Sequence, residues 1–225
     1  MFVFYFQLTT THCHSDFIEW INSCRDNESL PGIHIVNTPF KDYNVSDLEV
    51  DNSAAVDPTQ ICVFNNDQRR AIFYGPVPYS YGNSTHEACE NINNANVRSI
   101  YNRIRTLFPY CNFNSLLINL YFGNESLIPL HSDDENCINY SSWILGLSLG
   151  QERIFQLYDK FLCKNFNVRL KHGDIIMMSR ASQNRFKHAV RCNSSNKADM
   201  NEYVISSKLT RVSFTFRVLI KQFEG

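Results

Sequence analysis

Residues 131 to 135 read His-Ser-Asp-Asp-Glu. Side chains two apart share one face of a β-strand, so His131 and Asp133 can aim an imidazole nitrogen and a carboxylate oxygen at one point. That is two thirds of a metal site. One more histidine would complete a facial triad of two histidines and one carboxylate, which leaves the opposite coordination positions open for oxygen chemistry. His188, in Phe186-Lys187-His188, lies downstream. By itself the pair also suits a turn or a surface hydrogen bond, so its context decides. Near the far end the chain alternates: Val212, Phe214, Phe216 and Val218 fall on one face, Arg211, Ser213, Thr215 and Arg217 on the other. The two arginine Cα atoms stand roughly 20 Å apart at strand rise. Their guanidinium arms can still converge on the two ends of a short dicarboxylate through charge-assisted hydrogen bonds. The plainer reading of the same segment is a solvent-facing polar stripe on an edge strand.

The elements that must hold these residues are mostly strands. Apolar and alternating runs predict strands at about 116 to 122, 127 to 133, 142 to 149, 153 to 158, 166 to 170, 174 to 178, 186 to 191, 203 to 209 and 211 to 220. Two helices precede them. Asp16-x-x-Glu19 has the form of a capping box, followed by Phe17, Trp20, Ile21 and Cys24 at helical spacing. A second helix runs from about Asn96 to Phe108, with Val97, Ile100, Ile104 and Leu107 on one stripe and Pro109 ending it. The apolar opening Met1 to Phe6 reads as a first strand, and Pro39 to Ala55 and Asn193 to Asn201 read as polar loops. Many short strands behind a helical front end predict a mainly β fold with flanking helices (α+β): a double-stranded β-helix, or jelly roll, buttressed by helices on one sheet.

Asn119-x-Tyr121, His131-x-Asp133-Asp134-Glu135, His188 and Arg211-x-Ser213-x-Thr215-x-Arg217, in this order, resemble the AlkB family of iron and 2-oxoglutarate dependent dioxygenases. Leu149 to Phe155, with its Arg-x-Phe, and Leu170 to Met178, leading through Gln183 to His188, fit between them. Upstream, Arg70 to Gly75 and Tyr79-Ser80-Tyr81 resemble the family's substrate-side segment. The resemblance covers about residues 60 to 220. Ser213 and Ser179-Arg180 depart from many relatives, which carry Asn and Gly there. The serine variant looks like the AlkB domains of RNA-virus replication polyproteins and like the family's tRNA-modifying branch. The resemblance implies Fe(II) held by His131, Asp133 and His188. It implies 2-oxoglutarate as co-substrate, contacted by Asn119, Tyr121, Arg211, Ser213 and Arg217, with Arg211 on the distal carboxylate and Arg217 on the one beside the oxo group. It also implies oxidative demethylation of N-methylated nucleobases, RNA favoured over DNA, with Tyr74, Tyr79, Tyr81, Asp134 and Glu135 toward the substrate. Two other readings remain: a dioxygenase hydroxylating a protein or small molecule, and a silent nucleic-acid-binding module.

Composition fits such an enzyme. At 225 residues and 44% hydrophobic content, one core is expected, with residues 1 to 110 as an N-terminal extension and lid and 111 to 222 as the catalytic jelly roll. No run of eighteen apolar residues exists and no cleavable leader is evident, so no membrane span is expected. Eight scattered cysteines without a CxxC predict reduced thiols and a cytoplasmic location, in a host cytoplasm if the chain comes from a polyprotein. The His12-Cys13-His14 cluster has no second pair nearby to make a zinc site. No heptad announces an oligomer, and a monomer is expected. Charge is unevenly spread: residues 1 to 60 hold two basic and nine acidic side chains, residues 153 to 191 nine basic and two acidic. A cationic rim of Arg180, Arg185 and Lys187 near the second histidine would suit a polyanion such as methylated RNA or single-stranded DNA. A solvated face of mixed charge is the plainer alternative.

Overall fold

Alternation of side chains along each strand decides which layer it faces, and here it builds three layers. The structure, a computed structural model, describes residues 32–37, 40–48, 61–64, 69–81, 84–123, 126–191 and 209–221. Its strands are β1 Ile33–Asn37, β2 Ile61–Phe64, β3 Arg69–Tyr74, β4 Tyr79–Tyr81 and β5 Ser84–His86. Helix α1, Ala95–Leu107, follows, then β6 Ser115–Phe122, β7 Ile128–His131, β8 Trp143–Gly150, β9 Arg153–Asp159, β10 Lys164–Leu170 and β11 Asp174–Ser179. A single helical turn, α2 Ser182–Arg185, leads into β12 Phe186–Arg191, and β13 Leu209–Arg217 ends the set. One sheet has the order β1-β11-β8-β13-β6-β3-β2 and the other β10-β9-β12-β7, with β4 and β5 as a separate hairpin. Every pairing is antiparallel, and the two main sheets pack face to face as the expected jelly roll. The larger sheet draws β1, β2 and β3 from the part of the chain read as an N-terminal extension.

Helix α1 covers the outer face of the larger sheet. Asn94 caps it, its Oδ1 accepting from the N–H groups of Asn96 and Val97 at 3.0 Å each, and Pro109 opens a short 3-10 turn just beyond its end. Val97, Ile100 and Ile104 point down onto Val212, Phe214 and Phe216 of β13. Each fully buried aliphatic there contributes about 1.5–3 kcal/mol. A second apolar cluster fills the space between the sheets, including Ile144, Ile176 and Met178 from one and Phe155, Leu157 and Val168 from the other. Strand β13 is thus central, not an edge. Its phenylalanines lie under the helix, and its arginine face turns into the interior of the jelly roll.

Part of the expected loop at 39 to 55 is instead two 3-10 turns, Phe40–Asp42 and Val45–Leu48. Phe40 and Leu48 are fully buried against the helix layer. The predicted first strand, the helix at 16 to 24, the His12-Cys13-His14 cluster, the loop at 193 to 201 and the strand at 203 to 208 lie outside the described residues. Among the described residues no helix is long and apolar enough to cross a membrane.

Candidate metal centre and co-substrate pocket

Strand pairing brings the first ligand pair together. His131, the last residue of β7, stands opposite His188 on β12, and the two rings lie 4.2 Å apart between centroids. Asp133 follows two residues after His131, just beyond the end of β7. Its Oδ1 is 3.6 Å from His131 Nε2 and 3.9 Å from His188 Nε2. One donor atom from each of the three residues lies within 4.8 Å of the others. A carbonyl can only accept, so His131 Nδ1 donates to Pro129 O at 2.9 Å, which orients the ring with Nε2 toward the carboxylate. Phe155 stacks on His188 from the other side.

Asp133 is fully buried, and its two oxygens are used differently. Oδ2 accepts from Arg217 Nε at 3.2 Å and NH2 at 2.8 Å, whereas Oδ1 has no hydrogen-bond partner. Burial opposes charge on this carboxyl. The guanidinium of Arg217 and the two imidazoles outweigh it and hold Asp133 well below the usual carboxylate range. Burial also opposes charge on His131, but interaction with Asp133 wins and its pKa rises. Burial and the neighbouring imidazole push His188 down to about 3, so it is a neutral donor at ordinary pH. The backbone N–H of Asp133 donates to Gln183 Oε1 at 3.1 Å, which fixes the loop that carries the carboxylate. Two imidazole nitrogens and a carboxylate oxygen with no hydrogen-bond partner in one buried spot are the donor set of a divalent cation such as ferrous iron.

From this cluster a cavity runs between the sheets to Arg211, past Asn119, Tyr121 and Ser213. Arg211 is 2% exposed. NH2 donates to Ser148 Oγ at 2.9 Å, the guanidinium lies over the Tyr121 ring, and Nε and NH1 have no partner. A buried guanidinium with two unmet donors, a cavity's length from a metal donor set, fits the distal carboxylate of a short 2-oxo diacid. Tyr121 OH and Ser213 Oγ are 3.4 Å apart beside it. Asn119 is held by Arg69, whose NH1 donates to its Oδ1 at 2.6 Å.

Several expected site residues stand elsewhere. Tyr74 is buried in the helix-side core, on the face of β3 turned away from the cavity, and burial together with nearby Cys89 raises its hydroxyl to about 12. Tyr79 is also fully buried. It stacks on Phe73, lies under Arg217 and donates through its hydroxyl to Glu135 Oε1 at 3.1 Å. Neither can hold a base by its face. The side chain of Tyr81 lies outside the described residues. Glu135 is half-buried behind Arg217, and burial with the charge of Asp133 raises its pKa. Asp134 is exposed at the mouth, its carbonyl accepting from Arg180 NH2.

The cationic rim is also smaller than expected. Arg180 is buried against the Tyr140 ring, and Arg185 is committed to Asp159 at 2.7 Å. Lys187 alone of the three is exposed. Arg217, expected on a co-substrate carboxylate, spends two donors on Asp133. Sequence reasoning did not single out Ser148 and Arg69. The signal available for Ser148 is a lone hydroxyl on the otherwise apolar run Trp143–Gly150, whereas Arg69 offers none beyond its place beside Arg70.

A jelly roll with this donor set at one end and an unpaired arginine deeper in defines a non-haem iron, 2-oxo acid oxygenase. The chain belongs to the 2OG-Fe(II) oxygenase superfamily, whose profile matches residues 54–217, and within it the chain is AlkB-like. It is 30% identical over 160 residues to the human alpha-ketoglutarate-dependent dioxygenase alkB homolog 3, covering 67% of this chain and 51% of that protein. The Bos taurus counterpart is 28% identical over the same length and shares. The chain thus spans about half the length of these curated relatives. The solved structure of OsALKBH1 shares the fold with a TM-score of 0.52 at 15% identity, covering 83% of this chain and 96% of that one.

Proposed function

We propose that this protein oxidatively demethylates N-methylated nucleobases in nucleic acid, with RNA preferred to DNA. The observation that carries the chemistry is the cavity joining the unpaired Asp133 Oδ1 to the two unpaired donors of Arg211. The AlkB likeness supports the substrate class, and the look of the Ser213 variant supports RNA. Ferrous iron, 2-oxoglutarate and dioxygen together supply oxidative decarboxylation to succinate and carbon dioxide and hydroxylation of an N-methyl group, which then leaves as formaldehyde. His131, Asp133 and His188 would hold the metal. Arg211 grips the distal carboxylate of the co-substrate, oriented by Ser148 and by the Tyr121 ring. Arg217 keeps Asp133 ionised and turns Oδ1 toward the two imidazoles. Leu117, Ile128, Phe155 and Ile176 wall the cavity and exclude water. Every residue in this scheme comes from one chain, so the reading needs one copy. Cys89, Cys111, Cys137 and Cys163 are free thiols, which suits the reducing, cytoplasmic setting we assign to it.

The test is release of succinate and formaldehyde with ferrous iron, 2-oxoglutarate and RNA and DNA oligonucleotides carrying N1-methyladenine, N3-methylcytosine or N6-methyladenine. A His131→Ala control runs alongside. Turnover of one RNA member, lost in the control, is the expected result. Succinate without demethylation of any oligonucleotide would keep the iron site and move the substrate to a protein or small molecule.

A further inference from the structure

The turn between β9 and β10 holds the two most exposed large apolar side chains of the described residues, Phe161 at 76% and Leu162 at 60%. Exposed apolar groups at a loop tip usually need no explanation when scattered singly. These two are adjacent, and the turn beneath them is fixed. Asp159 is fully buried, and its Oδ1 accepts from the N–H groups of Phe161 at 2.9 Å and Leu162 at 3.1 Å. Its Oδ2 is paired with Arg185. Lys160 ties the turn to helix α2, its N–H donating to Arg185 O at 2.9 Å and its Nζ to Gln183 O at 3.0 Å. Cys163 closes the turn at φ 50°. Five hydrogen bonds and a buried carboxylate therefore hold two mostly exposed apolar side chains out from the fold.

Register says where they are held. Asp159 pairs with Phe186 and Leu157 with His188, while His131, the end of β7, stands opposite His188. The turn projects from the end of the smaller sheet that carries the metal donors. Lys164 and Lys187, both exposed, flank it, and Arg185 cancels the one acidic group in its base.

We propose that the Lys160–Cys163 turn is a docking element for single-stranded nucleic acid, in which Phe161 and Leu162 pack against the base next to the one that enters the cavity. Lys164 and Lys187 meet the adjoining phosphates. The proposal rests on the demethylase reading and gives that site the strand contact which Tyr74 and Tyr79, being buried, do not supply. Stacking on an aromatic side chain tolerates any base, so the contact adds affinity without sequence preference.

The experiment uses fluorescence anisotropy with an unmethylated single-stranded RNA, which needs no turnover. The Phe161→Ser, Leu162→Ser double variant should weaken binding about tenfold or more while keeping the wild-type melting temperature. In the Phe161→Trp variant, added RNA should quench the emission, and vesicles of anionic phospholipid should not shift it. Wild-type affinity in the double variant overturns the proposal. A vesicle-induced blue shift without quenching by RNA overturns it in favour of a lipid contact. RNA binding that depends on the turn, in a protein that demethylates nothing, supports the docking element and removes the demethylase. A wild-type protein that binds no oligonucleotide removes both.

Discussion

Arg211 and Arg217 stand at the two ends of one polar strand face and do different work. Arg211 has two buried donors to offer, so losing it removes charge-assisted hydrogen bonds of about 1.5–3 kcal/mol. Arg211→Ala should raise KM for 2-oxoglutarate roughly ten- to a hundredfold. Arg211→Lys should recover part of this, because a point charge replaces a fork. Steady-state kinetics and the co-substrate's effect on melting temperature both read the change. Arg217 instead neutralises a buried carboxylate. Arg217→Met leaves Asp133 buried without its guanidinium partner, which costs about 3–5 kcal/mol. Chemical denaturation in EDTA should show the loss, and saturating Mn(II) should restore part of it. At this scale the sequence was legible where spacing carries the chemistry, as in His131-x-Asp133 and the alternation of β13. It was not legible for Tyr74, Tyr79 and Arg180. Which side of a strand or turn faces a helix or a neighbouring ring is decided by residues far along the chain, and no local pattern records it.

At the scale of elements, the β9–β10 turn shows how one buried acid organises a segment. Burial opposes its charge, but Arg185 and the two backbone N–H groups hold the Asp159 carboxyl below its ordinary value of 3.8. A group depressed on folding contributes stability above its unfolded pKa and loses it as pH falls through the folded one. Wild type should therefore melt above Asp159→Asn at neutral pH, and the gap should close as pH drops below about 4. Melting curves of both proteins from neutral to acid pH check this. The strands flanking the turn were readable from period-two patterns, and β12 spans the expected 186 to 191. The 3-10 turns at Phe40 and Val45 were not, because single apolar residues among Asp, Asn and Ser show no period even when they end in the core.

For the whole molecule, the metal site joins the two sheets. His131 and His188 come from the smaller sheet, while the Arg217 that orients Asp133 comes from the larger. A cation bound there links both halves and should stabilise the fold as a unit. At a hundred times its Kd, Mn(II) should add about 2.7 kcal/mol to unfolding. Calorimetry should show one transition moving upward, and His188→Ala should abolish the shift. The jelly roll was foreseeable from strand count and patterning. That β1, β2 and β3 complete the larger sheet was not, since edge partners are chosen by long-range pairing.

Strand β13 carries two inheritances side by side. Val212, Phe214 and Phe216 serve the helix layer, while Arg211, Ser213 and Arg217 serve the cavity. A descendant released from selection for catalysis would be free to lose the second set and obliged to keep the first. It would fold, pack α1 as before and do nothing. These nine residues are therefore a compact diagnostic: in any related sequence, phenylalanines without arginines would mark a retired enzyme still wearing its scaffold.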